Sequence, residues 1–258
     1  MLYLPFVKKT SNYGFMQRKW FQYWFNSPYY HILYSQRNDA EAEFLIDNLF
    51  AWLKPEKESK ILDIACGRGR HAVYLNKKGY DVTGIDLSEQ SIRYAQQFEK
   101  KNLHFFVHDM RRLSFINYFD IAVNLFTSFG YFETEKDHVN ALKSFRKGIK
   151  ADGTFVIDYF NTKKILKNLT QQEIKTVEGI EFHLQKFVSE GKIIKHINFE
   201  HGKKTYAFEE RVQAFLLSDF ERMFEKSGFT IAAKFGSYAL DEFDEDKSDR
   251  LILICKKA

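Results

Sequence analysis

Ile61-Leu62-Asp63-Ile64-Ala65-Cys66-Gly67-Arg68-Gly69-Arg70-His71-Ala72 is the stretch whose reading decides the fold. It opens as a short apolar run with one acid inside it. It turns on two glycines and then reads as a helix, with Ala72, Val73 and Leu75 returning at helical spacing. Strand, glycine turn, helix is the layout that binds an adenosine-bearing ligand. The glycines let backbone approach the ligand closely, and the helix N-terminus offers free N–H groups.

Two ligands compete for this loop. Gly67-Arg68-Gly69-Arg70-His71-Ala72 fits G-x-G-x-x-A, a permitted form of the dinucleotide fingerprint, and Asp86 follows at about the spacing of a ribose-binding acid. The glycines alone leave a nicotinamide oxidoreductase open. Asp63 weighs against it. A carboxylate among Ile61, Leu62 and Ile64 is expensive to bury without partners. A pyrophosphate gives it no reason to be there, because an acid aimed at phosphate repels it. A ligand with an ammonium and a sulfonium does, and S-adenosylmethionine carries both and has no phosphate. The other reading of Asp63 is that it only ties down the turn by accepting backbone N–H bonds.

D-x-x-C-G-x-G-R-H followed by G-Y-x-V-x-G-x-D-L-S resembles the class I S-adenosylmethionine-dependent methyltransferases. The likeness is greatest to the small-molecule-type bacterial branch with a β-rich insertion late in the chain, and it runs from about Trp20 to Lys256. One departure is visible: Ala65 stands where the commonest family loop has glycine. The resemblance implies a segment before the first strand that closes the site. It also implies that the acid of His108-Asp109-Met110 takes the adenine amino group while a neighbouring backbone N–H, that of Met110, meets a ring nitrogen.

Composition bounds the rest. The 258 residues, 45% apolar, can bury one full core with an insertion. Aromatics make up 17%, with 27 Phe, which suggests a Phe-packed core and an aromatic-lined pocket. Two cysteines, Cys66 and Cys255, build neither a disulfide framework nor a zinc site, so a reducing cytosol is the default compartment. The eight histidines are dispersed and no metal site is expected. A net charge of +5 permits an anionic partner without demanding nucleic acid. The first residues are too short an apolar run for a signal peptide, and nothing approaches the ~18 apolar residues of a membrane span.

Residues 1–14 read as a loosely held arm. Phe15 to Tyr34 is densely aromatic, and Pro28 divides it into two helical pieces: either a helix packed over the core or a lid over the ligands. Tyr30, Tyr34 and Arg37 lead the candidates there, Arg37 as a partner for the cofactor's carboxylate. Asp39 reads as the N-cap of a helix with Ala42, Leu45, Ile46, Leu49 and Phe50 inward, ended by Pro55. Strands follow at 80–86, with Asp86 at its end to accept both ribose hydroxyls, at 103–107, at 119–126 and at 154–160. Asn124 through Tyr131 face the point where cofactor and acceptor meet. No Pro-Pro-aromatic box and no Pro-Cys nucleophile occurs there, which weighs against a nucleic-acid acceptor. Partial alternation between about 173 and 217, with turns at Gly179, Gly191 and Gly202, predicts three or four antiparallel strands. Ser218-Asp219-Phe220-Glu221 reads as a capping box for a helix ended by Gly228. Two last strands flank a linker, Asp241 to Asp249, that holds six acids and reads as a solvated loop.

The expectation is an α/β fold: a doubly wound, mostly parallel, seven-stranded Rossmann-like methyltransferase sheet with an antiparallel last strand and an inserted antiparallel β subdomain. Its parts are an arm and lid at 1–38, a core at 39–172 and 218–258, and the insertion at 173–217. Residues and resemblance together give the cofactor set Arg37, Asp63, Ala65, Gly67, Gly69, Asp86, Leu87, Asp109, Met110 and Asn124. No catalytic residue is assigned; His31, His71, Tyr30 and Tyr159 have the chemistry of a general base. The expected activity is methyl transfer from S-adenosylmethionine to an N, O or C nucleophile of a small molecule, by a monomer or homodimer. The rivals are an RNA or protein acceptor, a nicotinamide enzyme, and a catalytically silent cofactor-binding subunit.

Overall fold

The computed structural model describes residues 20–35 and 39–258. Two short helices come first, α1 (Trp20–Phe25) and α2 (Pro28–Leu33), followed by α3 (Asp39–Leu53). Strands and helices then alternate: β1 (Lys60–Ile64), α4 (Arg70–Lys77), β2 (Asp81–Asp86), α5 (Glu89–Ala95), β3 (Leu103–Val107), β4 (Phe119–Asn124), α6 (Glu135–Gly148) and β5 (Ile149–Phe160). After α7 (Thr162–Lys167) come β6 (Gln172–Val177), β7 (Ile180–Ser189), β8 (Lys192–His201) and β9 (Lys204–Gln213). The chain closes with α8 (Leu217–Ser227), β10 (Phe229–Phe235) and β11 (Arg250–Lys257).

Among the described residues these strands form two sheets. The larger has seven strands in the order β10-β11-β5-β4-β1-β2-β3. β1 through β5 pair in parallel, whereas β11 runs antiparallel to both β5 and β10. This is the doubly wound sheet with an antiparallel last strand that the alternation predicts. The order reverses between β1 and β4, which opens a crevice at the strand ends there. The smaller sheet has four antiparallel strands, β6-β7-β8-β9. Its first two turns carry consecutive residues at positive φ, Glu178-Gly179 and Glu190-Gly191, the hairpin geometry that matches strand twist.

Three apolar clusters hold these layers. α6 and α8 cover one face of the large sheet through Phe145, Phe220 and Phe224 against Phe155, and α3, α4 and α5 cover the other. α3 does so with Ala42, Leu45, Ile46, Leu49 and Phe50, all buried at spacings of three and four. Each fully buried Phe or Leu contributes roughly 1.5–3 kcal/mol. The third cluster lies elsewhere. Trp20, Trp24 and Leu33 pack on Val177, Ile180, Phe182, Leu184, Ile197 and Phe199, so α1 and α2 share a core with the small sheet.

Three local expectations need correction. Asp39 is the first residue of α3 rather than its cap, and there its charge still favours the positive helix end. α8 begins at Leu217, one residue before the expected Ser218 cap, because Asp219 accepts the Leu216 N–H at 2.9 Å and satisfies the helix start itself. β5 starts at Ile149 instead of Thr154, since Phe119 pairs with Ile149 across an irregularity. The acidic linker is solvated as expected, and side chains of α7 reach its acids: Lys163 meets Glu245 and Asp246 at 3.1 Å, and Lys164 meets Asp249 at 2.6 Å.

Candidate active site

The ends of β1, β2 and β4 and their following loops border a cavity with about 1060 Å³ of atom-free space, part of it open to solvent. Ala65, Gly67, Asp86, Leu87, Asp109 and Met110 line it, so six of the sequence candidates come together. Three do not reach the lining. Asp63 is 1% exposed behind the loop, Gly69 sits under the start of α4, and Asn124 is fully buried. Arg37 lies outside the described residues.

The loop's shape follows from backbone demands. Ala65, Gly67 and Gly69 all have positive φ, at 59°, 55° and 83°. Position 65 therefore favours glycine, and this chain's alanine there carries about 1 kcal/mol of strain. A Cβ on Gly69 would stand 2.7 Å from the Phe105 ring, so the helix can approach the sheet only with glycine. Asp86 closes the loop from the next strand. Its Oδ2 accepts the Gly67 N–H at 2.9 Å and its Oδ1 the Ser88 N–H at 2.7 Å. Burial raises its pKa, opposed by the N–H groups of Ser88, Gly67 and Leu87. Two oxygens with about four acceptor sites leave room for ligand hydroxyls.

Asp63 accepts a bond from the Ala72 backbone N–H, which ties β1 to the first turn of α4. Its Oδ2 has no hydrogen-bond partner, and burial pushes the carboxyl up to about 7. Asn124 also acts as a brace, donating to the carbonyls of Ile64 at 3.0 Å and Ser128 at 3.4 Å. Asp109 takes a fork from Arg111, at 3.0 Å from Nε and 2.6 Å from the guanidinium NH2. Burial would raise Asp109, but these bonds outweigh it and hold the carboxyl below its usual range.

The loop after β4 forms the cavity's inner wall. Phe126 and Thr127 are consecutive non-glycine residues in the left-handed region, at φ 56° and 60°, a strain of ~1–2 kcal/mol each. The fully buried Asp158 fixes them: its Oδ2 accepts the Phe126 N–H at 2.7 Å and its Oδ1 the Arg250 Nε–H at 2.8 Å. Arg250 donates onward to Thr127 Oγ1 at 3.0 Å.

Phe126, Tyr131 and Glu210 border this cavity and also a second, outer one between α7 and the small sheet. Phe21, Phe25 and Tyr30 from α1 and α2 line the inner cavity. The aromatic segment is thus both core and wall: Trp20 and Trp24 turn into the small sheet, and their neighbours face the cavity. A third hollow on the other side of the glycine loop is bordered by Tyr30, His31, Arg68, Arg70 and His71. Of the possible bases, Tyr159 is removed. It is fully buried, donates to the Gln213 carbonyl, and burial pushes its phenol well up.

Sequence reading missed Glu210 and Lys195. Yet the turn it recognised at Gly202 sets their register: His201 pairs with Lys204, and the same ladder places Lys195 opposite Glu210.

The lining fits a cationic adenosine ligand. Asp86, Asp109 and Glu210 present carboxylates, and the Arg111 guanidinium is engaged by Asp109. A pyrophosphate would meet repulsion here; an ammonium and a sulfonium would not. No group of His, Cys, Asp and Glu suited to a metal ion occurs among the described residues.

Known proteins agree with this geometry. Residues 61–153 match the family described as a methyltransferase domain. The putative methyltransferase YqeM of Bacillus subtilis (strain 168) is 29% identical over 225 residues, spanning 82% of this chain and 90% of that one. The dTDP-3-amino-3,4,6-trideoxy-alpha-D-glucopyranose N,N-dimethyltransferase of Streptomyces venezuelae is 32% identical over 120 residues, about half of each chain. In fold, an S-adenosylmethionine-dependent methyltransferase from Clostridium acetobutylicum ATCC 824 superposes with a TM-score of 0.75 at 17% identity, over 89% of this chain and 96% of that one.

Proposed function

We propose, from the premise that the chain belongs to the class I S-adenosylmethionine-dependent methyltransferases, that it methylates an N, O or C nucleophile of a small-molecule acceptor. The observation that carries this reading is that an inner and an outer cavity share Phe126, Tyr131 and Glu210 in their walls. The inner one holds the cofactor candidates, and the outer one is an open hollow walled by α7 and the small sheet. The relatives lend support, since one of them is named for methylating an amino sugar.

S-adenosylmethionine supplies an electrophilic methyl group on sulfur, and S-adenosylhomocysteine is left when that group moves. The residues of the chain bind and align. Asp86 accepts the ribose hydroxyls, Asp109 the adenine amino group, and the Met110 N–H meets the ring. Leu87 packs against the adenosine, while Ala65 and Gly67 bring backbone to the methionine part. Gly69, Asp63 and Asn124 hold that loop in shape from behind. Phe21, Phe25, Tyr30 and Tyr131 exclude water and present aromatic faces to positive charge. Alignment of this kind can supply several kcal/mol of a transfer barrier. No helix among the described residues is long and apolar enough to cross a membrane, and Cys66 and Cys255 are both buried free thiols. We place the reaction in the cytosol.

Calorimetry with S-adenosylmethionine, S-adenosylhomocysteine and NADH tests the reading. Micromolar binding of the first two without the third is expected. Binding of NADH alone would return the glycine loop to a pyrophosphate and end the proposal.

A further inference from the structure

Resting on the acceptor reading above, we propose that the acceptor is a primary or secondary amine that carries an anionic group, with its nitrogen at Glu210 and its anion toward Lys195 and Lys186. Among the described residues Glu210 is the charged side chain that borders both cavities, whereas Lys195 and Lys186 border only the outer one. A molecule lying across the two cavities therefore meets a carboxylate at their shared wall and ammonium groups in the outer one.

The Glu210 carboxylate is built in. Its side chain is 15% exposed. Trp24 donates to it at 2.6 Å, Tyr34 at 2.7 Å and Lys195 at 3.0 Å. Burial would raise its pKa, but the Lys195 ammonium and the Tyr34 and Trp24 donors prevail and hold it below the usual range. Glu210 is thus held toward its charged form and is a weaker base than an ordinary carboxylate.

That combination discriminates between nucleophiles. A neutral amine attacks with its lone pair: the N–C bond forms, the C–S electron pair goes to sulfur, and the positive charge moves from sulfur to nitrogen. An amine that arrives as an ammonium first gives one proton to water, and the product ammonium can release its own in the same way, so neither transfer requires Glu210 as the base. A fixed carboxylate beside the nitrogen stabilises that developing charge. A hydroxyl must lose its proton as it attacks, and a carboxylate held below its usual pKa is badly matched to that task.

The outer wall supplies the second half. Lys186 is paired with Glu173 at 2.9 Å, with side chains 25% and 42% exposed. Half-exposed pairs of this kind are worth ~0–1 kcal/mol, so an incoming anion can replace Glu173. A phosphate and a carboxylate would serve equally.

The test uses the full chain saturated with S-adenosylhomocysteine and four probes: phosphoethanolamine, β-alanine, ethanolamine and glycerol 3-phosphate. Calorimetry should show phosphoethanolamine or β-alanine binding about 10-fold or more tighter than the other two, since each charge-assisted contact is worth ~1.5 kcal/mol. Which of the two wins tells phosphate from carboxylate. Glu210→Gln should abolish that preference, and Lys186→Met should weaken the anionic amines while leaving ethanolamine unchanged. Equal or tighter binding of glycerol 3-phosphate overturns the proposal. So does the absence of binding by both anionic amines in a protein that holds S-adenosylhomocysteine. If Glu210→Gln does not fold, Lys186→Met, at a partly exposed position, decides, and unchanged affinities there overturn the anion half. A protein that does not bind S-adenosylhomocysteine fails at the earlier reading instead.

Discussion

The two neighbouring cavities are built on opposite plans. The inner one, the proposed cofactor site, is shaped largely by backbone: the glycine loop and the start of α4, with the Gly67 N–H held by one carboxylate, Asp86, from the adjacent strand. At the proposed acceptor end the groups are side chains from distant segments, with Trp24 and Tyr34 meeting Lys195 and Glu210. Backbone geometry tolerates little substitution, as the positive φ values at 65, 67 and 69 show. A side-chain network can be re-lettered on an unchanged fold. The difference teaches where chemistry is held constant and where specificity can be altered.

The sharpest way to break this contrast is at the joint. Phe126 borders both cavities and Thr127 the outer one, and the Asp158–Arg250 pair holds the two residues. Arg250→Met leaves the buried Asp158 uncompensated and should cost about 3–5 kcal/mol in chemical denaturation. A cost below ~1 kcal/mol would mean that the strained loop holds itself.

Next in size is a pH effect confined to the cofactor end. Asp63 has its folded pKa raised to about 7 from 3.8. A raised pKa gives stability that is complete below pH ~4 and lost as pH rises through ~7. Measured against Asp63→Asn, the wild type should lose up to ~1.4 kcal/mol per pH unit within that window. Parallel stability curves for the two proteins would show that Asp63 is not the buried proton carrier.

A smaller loss should separate ligand binding from folding. Asp86→Ala removes a charge-assisted acceptor worth ~1.5–3 kcal/mol, about 10–100-fold in affinity for S-adenosylmethionine. Because the cluster of Trp20, Trp24 and Phe199 lies apart from it, the third core should melt unchanged. A matching drop in overall stability would say that Asp86 is chiefly a loop brace.

The same contrast explains what was legible in the sequence. The strand, glycine loop and helix around the inner cavity were readable because their signals are local. Glycines, an acid at a strand end and an apolar strand such as Phe119–Asn124 declare themselves within a few residues. The inward positions of α3 were equally plain. Asp63 stood out as an acid in an apolar strand and Asn124 by its place at a strand end, but spacing alone could not say that they face backbone rather than the cavity. The acceptor end was unreadable as a site because Glu210 acquires meaning only from Tyr34 and Trp24, far away in the chain. Even so, the Gly202 turn already implied its pairing with Lys195.

The loop between β10 and β11 offers the finest test, because it holds both kinds of contact side by side. Its acids meet Lys163 at 3.1 Å, with side chains 45% to 63% exposed. Its backbone is gripped by the 3% exposed Asn161, whose amide donates to the carbonyls of Glu245 and Ser248 at 2.8 Å each. Charge on the surface is screened and costs side-chain freedom to hold, so Lys163→Ala should change stability by less than ~0.5 kcal/mol. Asn161→Ala leaves two carbonyls without donors and should cost ~1–3 kcal/mol. Thermal melts of the two variants at low and high salt would rank them. Should Lys163→Ala prove the more damaging, and only at low salt, the six acids would be what shapes this loop, and exposed charge pairs would outrank buried backbone-directed bonds in holding it.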